Sequence, residues 1–163
     1  MNNIELNAIE ELNQSIMDKP ESGILHFTEH LSWQTGTANN ISIRDFKPIL
    51  VDEPCALGGR DLAPNPIEYL IAGAISCFSI SFEILASKEG VKLESLDVDF
   101  DTDFDLAVFF GIKDGEKGIQ HSTIKIKAKT DVSPEKLEEL FNSAKNSSPV
   151  LNSLKTKPEI VIL

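Results

Sequence analysis

Arginine is almost missing from this chain: Arg44 and Arg60 are its only two among 163 residues. No arginine cluster for phosphate recognition can be built from them. With 26 acidic against 15 basic side chains, a net charge of −11, the chain also lacks the basic patch that nucleic acid and anionic membrane surfaces demand. Cysteine is as sparse. Cys55 and Cys77 are too few for a disulfide scaffold, so reduced thiols and a cytoplasmic location are expected. The opening Met1-Asn2-Asn3-Ile4-Glu5-Leu6 shows neither the basic nor the apolar region of a signal peptide. The longest apolar run, Tyr69 to Leu85, is diluted by Ser76, Ser79 and Ser81 and carries Glu83, which argues against a membrane span. A glycine-rich phosphate loop, a Ser-His-Asp order and a dinucleotide fingerprint are missing too; Gly58-Gly59 lacks both the third glycine and a preceding strand. His26, His30 and His121 fall into no zinc spacing. The aspartates between Asp97 and Asp105 lack the glycine and terminal glutamate of a calcium loop, so neither a metal nor a cofactor is expected.

What is present suits a globular domain: 41% hydrophobic and 25% charged residues in a length that reads as one domain, 1–163. Apolar side chains at helical spacing from Ile4 to Met17, ended by Lys19-Pro20, predict an N-terminal helical extension over residues 1–20. From Ile24 the period changes to two. Leu25, Phe27, Leu31 and Trp33 alternate with His26, Thr28, His30 and Ser32, predicting a half-buried strand. Ile41, Ile43 and Val51 belong to a second strand, interrupted or edge-placed because of Pro48. Later, Asp97, Asp99, Asp101, Asp103 and Asp105 occupy one face of a strand, with Leu96, Val98, Phe100, Phe104 and Leu106 on the other. Lys125, Lys127 and Lys129 alternate with Ile124, Ile126 and Ala128. If these strands pair, lysines oppose aspartates, each pair contributing about 0.2–1 kcal/mol. Ser133-Pro134 starts a further helix and Glu159–Leu163 a closing strand, so the fold class is α+β.

The chemistry concentrates around one helix. Asn65 is a good N-cap, Pro66 suits the first helical position and Glu68 stands at the capping-box position. The helix beyond is apolar on almost every face, predicting burial on all sides, and Cys77 sits in its middle. Such a thiol is either inert core or a sheltered nucleophile. Cys77 lies too far from the helix N-terminus to be activated by its dipole. Glu68, nine residues earlier, falls on the opposite face and roughly 13 Å away along the axis. It therefore caps the helix, or acts on a thiol only across a subunit interface. Cys55, in a Pro/Gly loop, reads as a surface thiol or as a resolving thiol for an oxidised Cys77. Phe78, Phe82, Phe109 and Phe110 are either plain core or the lining of an apolar pocket.

Asp52-Glu53-Pro54, Leu57-Gly58-Gly59, Ala63-Pro64-Asn65-Pro66-Ile67-Glu68-Tyr69-Leu70 and Cys77 together resemble the OsmC-like family, which includes organic hydroperoxide reductases. The likeness continues through Asp103-Phe104-Asp105-Leu106, Phe109-Phe110-Gly111 and Ser147 to Leu154. It implies an OsmC-like fold with antiparallel sheets wrapped around two long central helices in an intertwined homodimer. It further implies thiol-based reduction of hydroperoxides, with Cys77 matching the reacting cysteine, Glu68 and Arg44 standing nearest to the family's carboxylate and arginine, and a small hydroperoxide as substrate. The second family cysteine is here Ser148 before Pro149, marking a divergent subgroup in which the family's usual internal disulfide cannot form and peroxide reduction is expected to be weak or to use an external thiol. Glu68 is displaced by one residue, Ile67 holding the family position, and the first hairpin turn, Gly36 to Asn40, has no arginine. The alternative is non-enzymatic binding of a small hydrophobic ligand in a pocket at the dimer interface.

Overall fold

The computed structural model describes residues 2–163. They form two compact units: Asn7–Ala72, and Gly73–Leu163 together with residues 2–6.

The first unit carries the predicted N-terminal helix, α1 (Leu6–Asp18), which buries none of its side chains. A three-stranded antiparallel sheet follows, in the order β1 (Glu29–Thr35), β2 (Ala38–Ile43) and β3 (Ile49–Val51). The Pro48 interruption splits the expected second strand into β2 and β3, and the chain reverses at Arg44, whose φ is +47°. The first strand differs from expectation. It begins at Glu29 rather than Ile24, and every residue in it is exposed, Trp33 by 68%. Period-two patterning shows that a strand has a face suited to cover; it does not show that its own chain supplies the cover.

Helix α2 (Pro66–Lys88) starts as the sequence requires. The Asn65 N–H donates to Glu68 Oε2 at 2.7 Å, and the Glu68 N–H to Asn65 Oδ1 at 3.0 Å, a reciprocal capping box. Gly90, at φ +73°, turns the chain at the other end while the Val91 N–H closes onto the Ala86 carbonyl at 2.8 Å.

In the second unit, β4 (Leu93–Asp103) pairs antiparallel with β5 (Gln120–Thr130) in the expected register, Asp97 opposite Lys127 and Asp99 opposite Lys125. Between these strands Lys125 pairs diagonally with Asp101 at 2.5 Å, and Lys129 pairs at 2.6 Å with Glu94, which sits at the register shift between Leu93 and Ser95. The aspartate alternation ends sooner than predicted. Asp105 leaves the strand to cap the one-turn helix α3 (Leu106–Phe109), accepting from the Ala107 and Val108 N–H groups. The ammonium of Lys113 beside it, with those N–H groups, holds its carboxyl below the usual range. Helices α4 (Pro134–Ser147) and α5 (Pro149–Ser153) then return the chain to β6 (Glu159–Ile162), which lies parallel to β5. Antiparallel pairing thus holds for every strand pair except β5–β6, where a helical crossover carries the chain back to the same end.

The core joins Phe78 and Phe82 of α2 to Ile124 and Ile126 of β5, Leu140 and Phe141 of α4, and Leu151 of α5. The rings of Phe82 and Phe141 lie 4.5 Å apart, those of Phe78 and Phe141 6.2 Å. Ala74, Phe78, Phe82 and Ala86 recur every fourth residue, so α2 buries one stripe. The expectation of burial on all sides is not met within the chain, since Ile80 remains 53% exposed. α2 is long and apolar enough to cross a membrane, but its phenylalanine stripe is packed into this core. Truncating Phe82 to alanine should destabilise the protein by about 3–5 kcal/mol, read as a lowered urea midpoint of unfolding.

Candidate functional site

Cys77 lies one residue before Phe78, at the border of the buried stripe of α2, and its side chain is half-buried as a result. Its carbonyl accepts from Ser81 Oγ at 2.8 Å, a bond that stays within the helix. Its sulfur accepts from Ser148 Oγ at 3.2 Å. Ser148 is fully buried and stands where α4 ends and α5 begins. The structure thus brings a thiol and a hydroxyl together across 71 residues of sequence.

The other sequence-derived candidates have local partners of their own. The Glu68 carboxylate is exposed and engaged in the capping box. The Arg44 guanidinium is exposed and sits 4.6 Å over the Phe46 ring, a contact that uses its charge without fixing a ligand. Cys55 opens a single 3₁₀ turn, Cys55–Leu57, and is exposed. The four phenylalanines proposed as a pocket do not share one. Phe78 and Phe82 are fully buried core, whereas Phe109 and Phe110 are 58% and 57% exposed and meet edge to face with ring centroids 5.1 Å apart. A ring buried at zero exposure has given its faces to neighbours and has none left for a ligand.

Sequence reasoning assigned no role to Asp52, which organises the loop ahead of α2. Only 1% exposed, it accepts from Thr37 Oγ1 at 2.6 Å, the Arg60 N–H at 3.1 Å and the Leu62 N–H at 3.3 Å. The Thr37 hydroxyl first, then the backbone N–H groups, hold its carboxyl down at about 2 despite the opposing effect of burial. Gly59 belongs to the same device, because a Cβ there would fall 1.7 Å from the Glu53 carbonyl oxygen. The signal available in sequence was the pairing of Asp52 with Gly58-Gly59 a few residues on, a buried anion with a tight turn to supply N–H donors.

A family model described as OsmC-like protein matches residues 58–162. This chain belongs to the OsmC-like family. Solved OsmC-like structures share its α+β fold. The OsmC-like protein from Mycoplasma pneumoniae superposes with a TM-score of 0.73 at 12% identity, covering 85% of this chain and 96% of that one. One from Vibrio cholerae gives 0.70 at 14% identity, covering 86% and 100%. An organic hydroperoxide resistance protein OsmC from Legionella pneumophila gives 0.62 at 18% identity, covering 86% and 96%. No curated protein matches the chain by sequence. The OsmC-like fold expected from the motifs is the fold observed, and Ser148 is the residue that touches Cys77 within it.

The Asp52 carboxyl yields a pH dependence with a definite sign. Its folded value, about 2, lies below the ordinary 3.8, so its contribution is complete above about pH 4 and disappears as pH falls through about 2. Asp52→Asn should melt below wild type at neutral pH, with the gap between the two proteins narrowing toward pH 2, measured by thermal unfolding across that range.

Proposed function

We propose that this OsmC-like protein reduces organic hydroperoxides or hydrogen peroxide through Cys77, as a cytoplasmic homodimer regenerated by an external thiol. The observation that carries the reading is the Cys77–Ser148 contact: a half-buried thiol on a packed helix whose side-chain partner is a buried hydroxyl. Attack of the Cys77 thiolate on the distal peroxide oxygen forms an S–O bond and breaks the O–O bond. Sulfur is oxidised to the sulfenic acid, and the leaving alkoxide takes a proton to depart as alcohol, or as water from hydrogen peroxide. Ser148 carries no thiol to condense with that sulfenic acid. A first external thiol then forms a mixed disulfide with loss of water, and a second releases Cys77 as thiol and leaves as the external disulfide. That a solved neighbour from Legionella pneumophila is an organic hydroperoxide resistance protein points the same way at the level of the fold.

The homodimer is supported by apolar surface that each unit leaves uncovered. In the first unit β1 exposes Leu31 and Trp33. In the second, a shallow groove of about 360 Å³ runs between α2 and β4, lined by Ile75, Ile80, Leu96 and Val98 together with Ser76, Ser79 and Glu83. Large apolar side chains left exposed in this way suit an association face. In such a dimer Glu68 and Arg44 are the candidate carboxylate and cation for the reaction.

Peroxide consumption with a panel of small thiols should proceed in wild type and vanish in Cys77→Ser; equal rates, or none in either, would sink the enzyme. Glu68→Gln keeps an acceptor for the Asn65 N–H, so a fall in turnover at unchanged melting temperature would assign Glu68 to the chemistry, and no change would leave it as a cap. Arg44→Gln is read in the same assay. Light scattering of the intact protein should return twice the chain mass, and a monomer at micromolar concentration would remove the dimer.

A further inference from the structure

The hydrogen-bonding capacity of Ser148 is spoken for except at one atom. Its backbone N–H donates to the Ala144 carbonyl at 2.9 Å, ending α4. Its carbonyl accepts from the Asn152 N–H at 3.0 Å and from Asn152 Nδ2 at 2.8 Å. Its Oγ accepts from the Leu151 N–H at 3.4 Å, as the N-cap of α5. With Oγ receiving that N–H, its single hydrogen is free to point elsewhere, and the acceptor 3.2 Å away is Cys77 Sγ. At zero exposure, water cannot compete for that hydrogen.

We propose that Ser148 is a positioning residue for Cys77: its hydroxyl, oriented by the cap of α5, donates to the sulfur and holds it in place for attack, while supplying no thiol to trap the oxidised product. The role rests on the reading of Cys77 as the reacting thiol. A donor aimed at a group that becomes charged stabilises the charged state more than the neutral one. The rigid cap also restricts the sulfur to one direction, which a mobile water would not do. Ser148 therefore does two things at one atom. It donates to the sulfur that attacks peroxide, and it leaves the sulfenic acid to an incoming external thiol.

The test is alkylation of Cys77 by iodoacetamide as a function of pH, followed on the Cys77 peptide by mass so that Cys55 does not contribute. In Ser148→Ala the rate near neutral pH should fall by about tenfold or more, the scale of a hydrogen bond to a charged group, and the profile should move toward alkaline pH. Ser148→Thr, which keeps the hydroxyl, should restore both. A role confined to capping α5 would lower the melting temperature of Ser148→Ala and leave the profile where it is in wild type, which overturns the proposal. Should Ser148→Ala fail to fold, Ser148→Cys gives the second readout. After one equivalent of hydrogen peroxide and no added thiol, the introduced thiol should condense with the Cys77 sulfenic acid, losing water and leaving the protein two hydrogens lighter than its reduced form. A Cys77 sulfenic acid that persists in that variant, trapped by dimedone, overturns the juxtaposition. Wild-type Cys77 with the expected alkylation profile but no peroxide consumption would retain the Ser148 role and remove the peroxidase; full turnover with an unmoved Ser148→Ala profile would do the reverse.

Discussion

The packing of Phe78 and Phe82 against Phe141 locks α2 to α4, and the candidate site depends on that lock. Four residues per repeat place Ala74, Phe78, Phe82 and Ala86 on one stripe, and Cys77 at its border is carried to a half-buried position by its neighbour. At the far end of α4 the chain must turn, and Ser148 is the residue that turns it, ending one helix and capping the next. The thiol and the hydroxyl meet because two helices meet. Loosening the aromatic contact would separate them before it touched either residue.

Elsewhere, polar side chains set the conformation of individual segments. Asp52 gathers Thr37, Arg60 N–H and Leu62 N–H around a buried carboxylate and so shapes the loop that precedes α2. Asp105 does the same on a smaller scale for α3. Each satisfies backbone N–H groups that would otherwise stand unpaired at a turn, an omission that costs more than a typical hydrogen bond contributes. The exposed strand β1 and the open face of α2 are the counterpart: apolar side chains that the described residues do not cover.

How much of this was legible beforehand follows from the range of each interaction. The capping box of Asn65 and Glu68, the Gly90 terminus, the Ser133 cap and the lysine-aspartate register of β4 and β5 were all readable, because their partners lie within a few residues or follow a strict alternation. The family could be read from its motifs for the same reason, since they occur in order along the chain. The burial of α2 on one stripe, the exposed face of β1 and the departure of Asp105 from its strand were not. Composition shows how apolar a face is, whereas which faces find cover is decided by what else the chain has left to pack.

By itself, then, the sequence determined the α+β class, the helix that carries Cys77 and a serine, not a cysteine, at position 148. Only the tertiary structure decided that Phe78 and Phe82 are core rather than pocket, that Asp52 is a loop anchor, and that Ser148 donates to Cys77. The physical reason is distance along the chain. Caps and registers are local, whereas a contact across 71 residues exists only after two helices and a sheet have packed.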